Sequence, residues 1–172
     1  MDNLSDIRVL LVARKGSSTQ VLRTVFAVAG LAKVISVPEA SWGIELLRTE
    51  HFHAVFVEGT MEYENMPFAL AARRLPSMIN PMIAMFAVFP EARRRDVEKA
   101  RDLGVHDVIC RPVSPKTVMS KLRAALEAPR PFIATQGFFG PDRRAKTRTG
   151  HHYGAERRTR TAKKTKVSVT LV

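Results

Sequence analysis

Across the first 128 residues, five short apolar runs rich in β-branched residues alternate with five stretches of helical period. Such an alternation points to a parallel sheet with helices packed on it, because each crossover between parallel strands needs a helix. Ile7–Val12, Lys33–Val37, His53–Val57, Met82–Val88 and Val108–Cys110 read as the strands. They show almost no polar alternation, so both sheet faces are expected to be covered. Ser17-Ser18-Thr19 offers N-caps for a helix that runs to Ala29, with Val21, Leu22, Val25, Phe26 and Ala29 on one face and Gly30 as its stop. Pro38 opens a second helix whose expected apolar stripe is Trp42, Ile44, Leu46 and Leu47. Further helices are expected over Pro67–Leu75, over Pro90–Leu103 and from Ser114-Pro115 to about Glu127.

The chain has 172 residues and a net charge of +12, and the charge is unevenly placed. Residues 1–128 carry 17 Lys+Arg against 14 Asp+Glu, whereas residues 129–172 carry 11 against 2. Pro129 and Pro131 bracket the change, which places a boundary near Ala128 between a folded domain (1–128) and a basic, mostly disordered tail (129–172). Within that tail Phe138-Phe139-Gly140-Pro141-Asp142-Arg143-Arg144 is echoed by His152-Tyr153-Gly154-Ala155-Glu156-Arg157-Arg158. With 45% apolar residues the chain as a whole is not disordered, and no run is long enough to span a membrane. Met1-Asp2-Asn3 does not open a signal peptide. Cys110 is the only cysteine, which excludes a disulfide framework and a cysteine zinc site and suits a cytoplasmic setting.

In a parallel sheet of this kind, ligands bind beyond the carboxyl ends of the strands. Ala13-Arg14, Glu58, Phe86-Ala87 and Arg111-Pro112 are the residues expected there. Together with Val9-Leu10-Leu11-Val12 and Gly104-Val105-His106-Asp107-Val108-Ile109, they make residues 6–127 resemble the receiver domain of response regulators, the CheY-like fold. The resemblance implies a doubly wound α/β sheet of order 2-1-3-4-5. It implies an acidic pair after the first strand, a phosphorylatable aspartate after the third, a Ser/Thr after the fourth, an aromatic switch, and Lys-Pro after the fifth. Here Ala13 and Arg14 stand for the acidic pair and Glu58 for the acceptor, while Phe86 stands for the Ser/Thr, Val108 for the aromatic and Arg111 for the lysine, with a cis bond expected before Pro112.

Aspartyl phosphorylation needs a hard divalent cation held by carboxylates. Losing one carboxylate at Ala13 and gaining a fixed positive charge at Arg14 removes that site, so the resemblance implies a pseudo-receiver with no bound cofactor and no catalytic residue. Glu58 has two readings. One is an imitation of phosphoaspartate, paired with Arg111 or Arg14; the other is a carboxylate that simply neutralises them. The implied partners are a histidine kinase, a phosphotransfer protein or another signalling protein, with a homodimer as one assembly. Arg143, Arg144, Arg148, Arg157, Arg158, Arg160, Lys163 and Lys164, interleaved with aromatics, form a candidate surface for a polyanion or partner. The alternative function is therefore nucleic-acid binding through the tail, with the domain as its platform.

Overall fold

The computed structural model describes residues 6–59 and 61–143. The elements run β1 (Arg8–Val12), α1 (Ser17–Val28), β2 (Lys33–Val37), α2 (Ala40–Thr49), β3 (Ala54–Glu58), β4 (Glu62–Tyr63) and β5 (Met66–Pro67). They continue with α3 (Phe68–Arg74), β6 (Ala84–Phe89), α4 (Arg94–Asp102), β7 (Asp107–Cys110), α5 (Pro115–Glu127), β8 (Phe132–Ala134) and β9 (Phe139–Pro141). Five strands form one parallel sheet in the order β2-β1-β3-β6-β7, as expected. Its apolar strands are buried on both faces. One core packs α1 and α5 through Leu22, Phe26, Val118 and Leu122, and the other packs α2 and α3 through Ile44, Leu47, Phe68 and Ala72.

Local signals set most of the boundaries. Ser114 caps α5, its Oγ accepting the Thr117 N–H at 3.1 Å, and Pro115 fills the first helical position, where a missing N–H costs nothing. Gly43 lets α2 lie against β1, since a Cβ there would sit 2.8 Å from a Val12 methyl and 3.0 Å from the Phe68 ring.

Two expected helix faces are corrected. The stripe of α2 is Ala40, Gly43, Ile44 and Leu47, which leaves Trp42 64% exposed, because a helical turn places residue 42 away from 40, 44 and 47. On α1 the buried set is Thr19, Leu22, Val25 and Phe26, and Val21 faces solvent.

The sequence reading also missed two hairpins. Glu64 and Asn65 both take positive φ, 50° and 61°, and join β4 to β5 in a two-residue turn of the kind that favours a tight hairpin. The second hairpin overturns part of the expected tail. Beyond α5 the chain does not leave the domain: β8 and β9 pair antiparallel, with Phe132 opposite Pro141. Side-chain contacts carry this hairpin in place of an apolar period. The Phe132 ring lies 5.5 Å from the rings of both His106 and Phe139, and Arg143 donates to the carbonyls of Arg101 (3.1 Å) and Val105 (2.9 Å). The packed unit therefore extends through Arg143, past the boundary expected at Ala128. The first aromatic-Gly-acid-Arg segment is seated in it, and the second lies outside the described residues.

Gly140 and Gly104 make that seat possible. A Cβ on Gly140 would lie 2.7 Å from the Gly104 Cα and 2.8 Å from the Phe138 ring. Gly140→Ala is expected to lower the unfolding free energy by about 1–3 kcal/mol. Gly137→Ala serves as the control, because a Cβ there meets nothing within 4 Å. Urea unfolding followed by circular dichroism compares the two, and equal midpoints would show that the hairpin is not packed on the domain.

Candidate functional site

The pairing register brings the ends of the strands to one edge of the sheet. Val12 pairs with Val37 and Val57, Glu58 with Val88, and Phe89 with Cys110. Ala13, Arg14, Gly59 and Arg111 follow directly. Glu58 is the focal carboxylate here. The Arg14 peptide N–H donates to its Oε2 at 3.1 Å, and the Arg14 guanidinium to its Oε1 at 3.3 Å. Glu58 is 22% exposed in its side chain and Arg14 60%, so the pair lies at the rim of the edge and is partly screened by water. Ala13 is buried, and its N–H is used by the Val37 carbonyl.

Arg111 is not a partner of Glu58. It donates from Nη1 to Ser18 Oγ at the start of α1, and its Nε is buried without a hydrogen-bond partner among the described residues. The alternative of Glu58 pairing with Arg111 is thereby corrected, and Arg14 is the partner. The Arg111–Pro112 bond is cis.

Phe86 is not at this edge either. It sits in mid-strand opposite Phe56, 1% exposed, with the two rings stacked at 4.8 Å. The register sets Val88 opposite Glu58, and the residue that closes the strand at this edge is Phe89, whose backbone carbonyl accepts the Arg111 N–H at 3.1 Å. Its ring lies over Gly59, where a Cβ would meet ring carbons at 2.1–2.6 Å. The misplacement has a plain cause. Ala84–Phe89 is uniformly apolar and buried at every position, so no polar residue marks where the strand ends before Pro90. Val108 is half-buried on β7 and packs on the core that carries α2 and α3. The tail residues Arg144, Arg148, Arg157, Arg158, Arg160, Lys163 and Lys164 lie outside the described residues.

A cleft of about 190 Å³ opens beside Glu58 between β3, β6, α3 and α4, with Glu62, Asp96 and Lys99 also on its walls. Asp96 is committed to capping α4, accepting the Arg93 N–H at 3.0 Å. Among the described residues no three His, Cys, Asp or Glu side chains are placed to hold a metal ion. At the strand ends Ala13 offers no side-chain donor, Arg14 brings a cation and Glu58 is the single carboxylate, so this donor set does not fit a divalent cation.

Two residues that sequence reasoning passed over stand at the opposite edge. Arg73 is 3% exposed and donates to the carbonyls of Gly104 (3.1 Å), Pro81 and Ile83 (2.9 Å), with Phe132 stacked over its guanidinium at 5.1 Å. Burial pushes its pKa down to about 9. His106 accepts the Met85 N–H on Nδ1 at 3.1 Å. Burial, reinforced by Arg73, Arg130 and Arg143, pushes its pKa down to about 3. The only signal for Arg73 in the sequence was a charged residue next to the inward-facing Ala69 and Ala72 of a short helix.

The sequence matches no family model and no curated protein. The fold is similar to many solved structures. One is a response regulator from Desulfuromonas acetoxidans, at a TM-score of 0.62 and 18% identity over 70% of this chain and 97% of that one. Another is the receiver domain of a sensor histidine kinase from Pseudomonas aeruginosa with magnesium in its active-site cleft, at 0.61 and 15% over 71% and 98%. A third is a CheY-like receiver domain protein from Methanospirillum hungatei, at 0.57 and 16% over 70% and 94%. The likeness establishes the CheY-like receiver fold.

Two outcomes follow from the geometry. In double-mutant cycles, Arg14→Ala with Glu58→Gln is expected to show a coupling of about 0.5–1 kcal/mol, while Arg111→Ala with Glu58→Gln is additive. Coupling of Glu58 to Arg111 instead would refute the assignment. The second concerns pH. His106 is neutral in both states above pH 6.5, so its stabilising contribution is complete there. Below that the unfolded chain takes up a proton that the folded chain refuses until about pH 3, and stability falls. Roughly 2–3 kcal/mol should be lost between pH 6.5 and 4.5. His106→Asn, which keeps an acceptor for the Met85 N–H, should flatten that slope in urea titrations.

Proposed function

We propose that this chain is a pseudo-receiver: a signalling protein of the two-component phosphorelay type that works by protein–protein contact without aspartyl phosphorylation. The observation that carries the reading is the Arg14–Glu58 pair, set at the edge where this fold performs its chemistry. Phosphoryl transfer to a carboxylate needs a free oxygen nucleophile and a cation to bridge and neutralise the phosphoryl oxygens. Here the cation beside the carboxylate is the Arg14 guanidinium, whose permanent charge pairs with Glu58 but cannot coordinate phosphoryl oxygens as a metal would. Phe89 adds a hydrocarbon ring where a receiver's Ser or Thr would give a hydroxyl. Val108, half-buried, offers no aromatic switch.

The scaffold otherwise keeps the shape that partners of receivers read. A histidine kinase or a phosphotransfer protein in the cytoplasm is the partner this reading favours, engaged competitively or as a scaffold. Glu58, already neutralised, acts as a fixed structural acid and not as a phosphoaspartate mimic. The +9 balance of residues 129–172 favours a second reading, in which the basic segment adds polyanion or nucleic-acid affinity to the same platform.

The test uses the full chain. Incubated with acetyl phosphate and magnesium and examined by intact-mass spectrometry, it should gain no phosphoryl group; a stable single gain overturns the proposal. In affinity capture from lysate with nuclease, a histidine kinase or phosphotransfer protein should be retained. Capture that disappears with nuclease favours the nucleic-acid reading.

A further inference from the structure

A cleft of about 470 Å³ lies between α5, β7 and Arg130 and shares no lining residue with the clefts around Glu58. At 100° per residue, Lys116, Ser120, Lys121 and Ala124 of α5 fall within a sector of roughly 140°, so one helix face forms a wall. His106 and Asp107 form the opposing wall, and Arg130 stands at the mouth just beyond α5.

The charges in this cleft do not balance. Lys116, Lys121 and Arg130 face a single carboxylate, Asp107. That carboxylate is already engaged by the Lys121 ammonium and by the Val108 N–H at 2.8 Å. Among the described residues Lys116 and Arg130 enter no ion pair. Behind the wall, Arg73 and Arg143 are held by backbone carbonyls, so their charges also reach the cleft without a carboxylate hydrogen-bonded to them. His106 is neutral in this field and adds no further cation. A concave, walled site with an excess of one sign of charge concentrates ligands of the other sign.

The shape narrows the class. The volume falls in the range of small-molecule sites, and the Ala124 and Ala125 methyls give it an apolar side next to the cationic one. Lysine offers a point charge for a phosphoryl oxygen, arginine a planar fork for two of them, and the Ser120 hydroxyl a third donor. We propose that this cleft binds a small organic phosphate, with its phosphoryl oxygens on Lys116 and Arg130 and its organic part against Ala124 and Ala125. The proposal does not depend on the pseudo-receiver reading, since it uses none of the residues of the Glu58 edge.

The test is a titration of the full chain, carrying ¹³C-methyl alanine and ¹⁵N, with adenosine monophosphate followed by NMR. The Ala124 and Ala125 methyls should shift and saturate, while adenosine without its phosphate should leave them still. Lys116→Ala with Arg130→Ala should weaken binding about tenfold or more, the loss expected for charge-assisted hydrogen bonds. Both side chains are exposed, and unchanged shifts of the buried Ala71 and Ala84 methyls would verify the fold. Three results overturn the proposal: shifts confined to amides of residues 144–172, equal affinity in the double variant, or adenosine binding as tightly as its monophosphate. Inorganic pyrophosphate binding as tightly as adenosine monophosphate would overturn the organic part of the assignment.

Discussion

An arginine taken out of water costs several kcal/mol unless every N–H finds an acceptor. Arg73 answers most of that cost with three of its five N–H groups on backbone carbonyls, drawn from three separate places: Pro81, Ile83 and Gly104, with Nη2 also 3.4 Å from His106 Nδ1. Ile83 leads directly into β6, and Gly104 lies in the turn between α4 and β7. One guanidinium on the last turn of α3 therefore fixes how two crossovers enter the sheet. It also sets the seat for the β8–β9 hairpin, since Phe132 stacks on its face and Phe139 packs on Phe132. Even with its pKa lowered to about 9, the group keeps its charge at neutral pH, so the carbonyl clamp is charge-assisted. No apolar residue of similar volume could satisfy those three carbonyls at once.

The same residue type does different work at the other edge of the sheet. Arg14 is largely solvated and gains little from Coulomb attraction, yet it adds its own peptide N–H to the guanidinium contact with Glu58. That combination ties the end of β1 to the end of β3 through a side chain. The covalently attached cation of Arg14 thus holds two strand ends together. Ala13 fits the same logic: a buried methyl with a hydrogen-bonded N–H needs no carboxylate next to it.

The sheet was legible because its signals were redundant. Apolar runs, Pro and Gly stops and the Ser114 cap agreed with one another, and β2 and α5 fall where periodicity put them. Legibility failed wherever one signal acted alone. Within Ala84–Phe89 every residue is apolar, so the sequence could not tell Phe86 from Phe89 as the residue that ends the strand beside Glu58. Glu58 with Arg14 was readable from strand ends, but the departure of Arg111 to Ser18 was not, because it depends on how the start of α1 meets the end of β7. Trp42 illustrates the converse error, a large apolar residue taken for core when the helical period sends it outward. The hairpin escaped notice because stacking and carbonyl contacts leave no period in a sequence.

The hairpin also decides how the two halves of the molecule can act together. It sits where β6 and β7 begin, on His106 and the end of α4, and Arg143 is anchored to Arg101 and Val105. Glu58, Phe89 and Arg111 stand where the strands end, so the six residues of β6, roughly 20 Å of strand, separate the two edges. Any coupling between the two edges passes through the packed elements. Arg73 is the residue best placed for that, because it touches α3, the entry to β6, the α4–β7 turn and the hairpin at once.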